Sequence, residues 1–302
     1  MTNFRFMKAH FPDPSLSRDE VAIRLTAHRR DLLAAKKDFA KLSKADGTAD
    51  HQGWLDQRDN IRLSLKDQKK IESRAEMISQ KHKAGTGMSH LRPDDAKRLE
   101  VLRHGVRLAR IESEHQADEL AAALHEEFPW MGPATETVWH AMRRSVKVGD
   151  PGLRLPPLLL DGPPGIGKSA WARHLGNVIG VPTTAYEATI ENASFGLVGN
   201  QRSWGSSSPG RLINTILTQR VGNPVIVVDE VEKSGQARTT KGLSFSLTDA
   251  LLPLLEPMSA STWSCPYFEV TFDMSYVIWV LTSNDVTAPL IPHLMQLDCS
   301  RY

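Results

Sequence analysis

The chain has 302 residues and a formal net charge of +2, enough length for a sizeable core and about one or two domains. Its hydrophobic content of 40% and charged content of 24% are those of a globular protein; no apolar run approaches the roughly 18 residues a membrane helix needs, and the opening MTNFRFMKAH is not a secretory signal. The cysteines Cys265 and Cys299 make neither a disulfide framework nor a metal cluster, which suits a reducing, cytoplasmic compartment.

Residues 1–126 hold 24 Lys and Arg against 20 Asp and Glu. Charge this dense and this nearly balanced reads as solvated helix faces and speaks against nucleic-acid binding, whose tails are blocky and basic. SRDE, Ser17 to Glu20, has the spacing of a capping box, and Val21, Leu25, Leu32 and Phe39 follow at helical intervals. KADGTADHQG, Lys44 to Gly53, is a polar break. A second helix is predicted from about Trp54 to Lys81, with Ile61, Leu65 and Ile71 on its apolar side. KAGTG ends it, and Pro93 opens a third helix whose apolar stripe is Leu99, Leu102, Val106 and Leu120. The expectation is a charged α-helical arm or small bundle over 1–126. Within it ESEH, Glu112 to His115, has the residue types of a metal pair, but no second pair lies at a suitable spacing, so an exposed helix face is the better reading.

Near Phe128 the pattern changes. LPPLLLD (Leu155 to Asp161), PVIVVDE (Pro224 to Glu230) and YVIWVLTSN (Tyr276 to Asn284) are near-continuous apolar runs separated by helical segments. That alternation predicts an α/β domain over 127–302, with a parallel sheet buried on both faces and flanked by helices.

Between the first run and the helix after it lies Gly162-Pro163-Pro164-Gly165-Ile166-Gly167-Lys168-Ser169, a match to G-x-x-x-x-G-K-[ST]. Glycines let the backbone curl so that successive N–H groups point at phosphate oxygens, and the following helix adds its positive dipole end. Lys168 then reaches the β/γ-phosphates of ATP, and the Ser169 hydroxyl ligates Mg2+. The second run delivers Asp229 to the strand end, where α/β sheets bind ligands, as a further Mg2+ ligand. Glu230, one residue on, is placed to polarise an attacking water, a role that kinase chemistry does not need and hydrolysis does. Asn284, at the end of the third run, is a hydrogen-bonding partner for that water or the γ-phosphate.

These motifs, in this order, resemble the AAA+ ATPase core, a P-loop NTPase fold, and more closely the ATPase module of the Lon protease family. GNQRSWGSSSPGRL (Gly199 to Leu212) resembles the Lon segment that runs through a pore loop into a Pro-Gly-Arg helix start. LTDALLPLLEP (Leu247 to Pro257) and YFEVTFDMSYVIWVLTSN (Tyr267 to Asn284) resemble the Lon stretch between the carboxylate pair and the sensor asparagine. The resemblance spans about Leu155 to Asn284. It implies an ATP hydrolase that remodels or unfolds polypeptides, with Trp204 as the substrate-gripping residue of a pore loop.

The departures carry information too. Trp204 is followed by Gly205 and serines where Lon pore loops place an aliphatic residue, and Met295 stands at the spacing of the arginine finger. The sequence reaches Tyr302 before a helical lid or a Ser-Lys peptidase domain. The expectation is therefore an ATPase without peptidase activity, with finger and lid supplied by a homo-oligomeric ring or another complex. A nucleotide-binding switch or scaffold with little turnover and a DNA-directed AAA+ motor are the alternatives. The early end of the sequence favours the first of these, and the balanced charge and the Lon-like segments oppose the second.

Overall fold

A computed structural model describes residues 3–36, 60–188, 193–202, 207–233, 237–238, 244–245, 247–285 and 295–299. The chain forms two compact units, Ala9–His90 and a larger one made of Met1–Lys8 with Leu91–Tyr302.

In the smaller unit the helices Arg18–Lys36 and Leu65–Gly85 pack on one another. Ser17 Oγ accepts the Glu20 N–H (3.4 Å) and Ser64 Oγ accepts the Asp67 N–H (3.1 Å), each satisfying a free donor at a helix start. Arg29 pairs with Asp67 at 2.9 Å and Arg18 with Glu76 at 3.4 Å, a crossed match of early and late residues that makes the pair antiparallel. The second helix starts at Leu65 and not near Trp54, which lies outside the described residues; Ile61 is buried in the segment leading to the cap. Of the first helix's predicted stripe, Val21 is buried, Leu32 is exposed, and Phe39 lies outside the described residues.

Residues 91–126, grouped with the arm by composition, pack in the larger unit. Pro93 opens a helix as predicted, but it ends at Leu99. Gly105, at φ +80°, then turns the chain so tightly that a Cβ there would lie 2.3 Å from the Phe4 carbonyl oxygen. The turn sends Val106–Arg107 (β2) into antiparallel pairing with Asn3–Phe4 (β1). On the other side of β2 the Arg107 N–H bonds the Arg220 carbonyl (3.0 Å) and the Gly222 N–H the Arg107 carbonyl (2.9 Å). The fully buried Asn223 side chain accepts from the Ala109 N–H (2.9 Å) and donates to the carbonyls of Ala109 (2.8 Å) and Leu153 (3.3 Å). These long-range bonds override the helical spacing of Leu99, Leu102, Val106 and Leu120. A new helix, Glu114–Glu127, begins only where Ser113 Oγ caps it (3.1 Å to the Gln116 N–H). On it His115 pairs with Glu119 at 3.3 Å, both exposed, in keeping with an exposed helix face at ESEH.

The core is a parallel sheet of Leu158–Asp161 (β3), Thr183–Glu187 (β4), Val225–Asp229 (β5), Ile278–Ser283 (β10) and Met295–Asp298 (β11), in the order β11-β3-β10-β5-β4. Four short strands complete the unit: Ala237–Arg238 (β6) pairs with Ser244–Phe245 (β7), and Trp263–Ser264 (β8) with Thr271–Phe272 (β9). The three apolar runs are thus β3, β5 and β10, the interior strands. Leu158, Leu160, Val225, Val227, Ile278 and Val280 enter a cluster with Trp171, Leu175, Val138 and Met142 from the helices Lys168–Ile179 and Gly132–Val148. Alternate residues Leu159, Ile226, Val228 and Leu281 are buried against the other face. The predicted α/β architecture is the one the chain adopts. The edge strands β4 (TTAYE) and β11 (MQLD) carry polar residues and give no such run, since an edge is covered on fewer sides.

Candidate phosphate-binding site

The register aligns Asp161 of β3 with Ser283 of β10, and Leu281 of β10 with Val228 of β5, so the three strand ends open side by side on one sheet edge. The loop Gly162–Gly167 leaves β3 there. Gly165 (φ +84°) and Gly167 (φ +95°) take left-handed backbone that a side chain would strain. Gly167 caps the helix Lys168–Ile179 without any side-chain hydrogen bond, which leaves the first amide donors for an anion. The loop is braced from outside. Trp130 Nε1 donates to the Ile166 carbonyl (2.7 Å), and the Phe128 ring would lie 3.6 Å from a Cβ at Gly167. In the sequence Phe128 marks only the change of pattern between the two regions.

Lys168 is 6% exposed. Its Nζ donates to the carbonyls of Gly162 (2.6 Å) and Pro163 (2.9 Å) and to Asn284 Oδ1 (2.9 Å). Burial pulls its pKa below the ordinary lysine value, against the pull of neighbouring acidic groups, Asp161, Glu232 and Asp229 among them. Nearby Cys299 is pushed up to about 11 by the same burial, so its thiol keeps its proton and adds no charge beside the ammonium.

Ser169 Oγ donates to Asp229 Oδ1 at 2.5 Å. Two hard oxygen donors so close suit a small divalent cation such as Mg2+. Thr282 Oγ1 donates to the same Asp229 oxygen (3.1 Å) and accepts the Glu230 N–H (3.2 Å). Glu230 has φ +55°, rare for a residue with a side chain, and the Thr282 bond holds it there. Its carboxylate Oε1 accepts from Asn284 Nδ2 (3.2 Å) and from Lys233 Nζ (2.8 Å). Glu232 Oε1 takes the Asn284 backbone N–H (3.2 Å), which fixes the end of β10. Gly165, Lys168, Ser169, Asp229, Glu230 and Asn284 line one cleft of about 480 Å3.

Of the predicted loop, Pro164, Gly165, Gly167, Lys168 and Ser169 line a single cleft with Asp229, Glu230 and Asn284, while Gly162 and Pro163 reach it only through their carbonyl bonds to Lys168 and Ile166 is not in its lining. Trp204 falls outside the described residues; Gly199 and Pro209, before and after it in the chain, form an antiparallel bridge. Met295 opens β11. Sequence reasoning missed Thr282, Lys233 and Glu232. The hydroxyls of TSN and the second acidic and basic residues of DEVEK were the available signals.

Comparison with known proteins agrees with this geometry. Residues 158–301 match the family described as ATPase family associated with various cellular activities (AAA). Lon protease 4 of Sorangium cellulosum (strain So ce56) is 29% identical over 197 residues, 64% of this chain and 24% of that protein. Lon protease homolog 2, peroxisomal, of Danio rerio is 34% identical over 145 residues, 47% of this chain and 16% of that protein. The mitochondrial Lon protease homolog of Yarrowia lipolytica is 29% identical over 148 residues, 48% of this chain and 12% of that protein. The chain thus spans a quarter or less of the length of these relatives. This part of the chain is an AAA+ ATPase module that resembles the ATPase module of the Lon family.

Proposed function

We propose that this module hydrolyses ATP to ADP and phosphate and uses the cycle to remodel or unfold polypeptides in the cytoplasm. The observation that carries the reading is the meeting of Lys168, the Ser169–Asp229 pair, Glu230 and Asn284 on one open cleft beneath a glycine loop. Lys168 gives up its contact with Asn284 and turns its ammonium to the β/γ-phosphate oxygens, a charge-assisted contact in a partly desolvated cradle. The loop and helix-start amides take the remaining phosphate oxygens. Ser169 and Asp229 are the residues that would hold Mg2+, which when bound neutralises charge building on the phosphates. Glu230 accepts the proton of the attacking water, and Asn284, already bonded to it, orients that water. Trp204 is proposed to press on an extended chain, in a homo-oligomeric ring or a complex that supplies an arginine finger and lid.

A switch with little turnover is the second reading. It is favoured by the Lys233–Glu230 pair, which engages Oε1 of the carboxylate that would act as base. Phosphate release from Mg·ATP, followed with and without unfolded protein and with and without DNA, separates the readings. Turnover stimulated by unfolded protein, and lost by about 10²–10⁴-fold in Glu230→Gln with ATP still bound, is the expected result. No turnover in the parent at any ATP concentration sinks hydrolysis in favour of the switch, and stimulation by DNA alone sinks the polypeptide substrate.

A further inference from the structure

A second cavity, of about 530 Å3, opens at the opposite edge of the sheet. Leu155 to Pro157, which lead into β3, and Val277 and Trp279, at the start of β10, form one wall. The phosphate cleft lies beyond the other ends of the same strands, so no residue is shared between the two sites.

Three features of this cavity call for an occupant. First, its floor and walls are largely apolar, with Leu155, Leu254 and Val277 among them. Second, exposed apolar side chains stand on the elements that wall the cavity. Val148 is 67% exposed on the rim, and Leu252 (44%) and Met258 (80%) stand exposed on the helices Leu247–Leu255 and Pro257–Ala260 that supply the wall. Among the described residues of the larger unit, Trp130 is the one other large apolar side chain so exposed. Concentrated apolar exposure beside a concavity marks an interaction surface. Third, the polar groups are mostly donors. Arg144 is exposed with no ion pair among the described residues. Arg154 stacks on Tyr276 at 4.3 Å and donates to Ser275 Oγ (3.0 Å), which leaves most of its fork of N–H groups available. Among the lining residues Asp150 is the single carboxylate, with Asp273 behind Ser275, whose Oγ donates to it (2.6 Å).

An occupant must therefore be apolar where it enters, acidic where it meets the two arginines, and long enough to cover Leu252 and Met258 outside the cavity. A small carboxylate would leave that rim bare. We propose that the cavity and its rim are a docking groove for a short segment of a partner protein, an apolar anchor side chain flanked by Asp or Glu. The apolar anchor fills the concavity, where desolvation makes each contact count most, and the arginines select against basic sequences.

The test is a phage-displayed library of random dodecapeptides panned on the full chain, with counter-selection on Arg144→Glu. Enriched sequences should pair Leu, Ile or Phe with Asp or Glu. The best of them, synthesised with a fluorescent label, should lose about tenfold or more in affinity on Arg144→Glu and, separately, on Met258→Asp. Both side chains are exposed, so melting temperature and ATP affinity should stay at the parent's values. If Met258→Asp lowers melting, Leu252→Asp repeats the measurement from the neighbouring helix. Failure to enrich any sequence over the counter-selected variant, enrichment of basic peptides, or affinity indifferent to both substitutions overturns the proposal. Self-association of the chain in sedimentation velocity that Arg144→Glu dissolves also overturns it, because a second copy is then the occupant.

Discussion

Replacing Thr282 by valine keeps a β-branched side chain of nearly the same shape and removes one buried hydroxyl. That hydroxyl uses its hydrogen on Asp229 Oδ1 (3.1 Å) and a lone pair on the Glu230 N–H (3.2 Å), and Thr282 is 3% exposed. Valine leaves the Glu230 N–H without its acceptor at a residue held at φ +55°, and an orphaned buried donor costs about 1–3 kcal/mol. Asp229 keeps its 2.5 Å bond from Ser169 and faces the cleft, so its own loss is at the low end, about 0.5–1.5 kcal/mol. The sum is about 1.5–4.5 kcal/mol, which for a unit of this size lowers the melting temperature by roughly 3–18 °C. A second consequence is chemical. With one of its two tethers gone Asp229 is less well oriented, so the gain in ATP affinity on adding Mg2+ should shrink while affinity in EDTA holds. Thermal melting and ATP titrations with and without Mg2+ measure both, and Thr282→Ser should recover most of each. A Thr282→Val protein that melts within about 1 °C of the parent and keeps the whole Mg2+ effect refutes the assignment of Thr282 as the tether of Asp229 and Glu230.

Lys168→Ala should weaken ATP binding by at least about tenfold, or 1.4 kcal/mol, in calorimetry; unchanged affinity would remove the basis for the phosphate site. Because burial lowers the Lys168 pKa, ATP affinity in the parent should fall with rising pH before an ordinary lysine titrates, as the ammonium that attracts phosphate becomes neutral, and Lys168→Ala should lack that limb. Asn223→Ala strips three hydrogen bonds from the Ala109 and Leu153 backbones and should cost about 2–4 kcal/mol in denaturant unfolding; a loss below about 0.5 kcal/mol would mean that this stitch does not hold residues 106–111 to the sheet. Cys265 and Cys299 are buried with raised thiol pKa values, so neither should react with a disulfide reagent near pH 8 until the protein is unfolded. Native Cys299 holds its proton from pH 9.0, where an unfolded thiol ionises, to about 11, so its contribution to stability should fall as pH rises through that window.

The interior of the sheet was legible in the sequence because a strand buried on both faces must be apolar at every position. That requirement singled out β3, β5 and β10 and, at their ends, Gly162 to Ser169, Asp229, Glu230 and Asn284. Phosphate chemistry likewise left its mark in adjacent residues, since a loop that wraps an anion is built from one short stretch of backbone. The edge strands β4 and β11 bear no such mark, because their exposed faces accept polar side chains and only pairing with β5 and β3 makes them strands. Residues 91–126 show the same limit from another side. Leu99, Leu102, Val106 and Leu120 keep helical spacing, yet Gly105 and the bonds of Arg107 and Ala109 to Arg220, Gly222 and Asn223 break that helix. Thr282 is the sharpest case. Nothing local distinguishes its hydroxyl in TSN; its partners lie 52 and 53 positions away in the chain, and only the register of β10 against β5 brings it between Asp229 and Glu230. Local chemistry is written in neighbouring residues, whereas hydrogen bonds between distant ones exist only once the strands have paired.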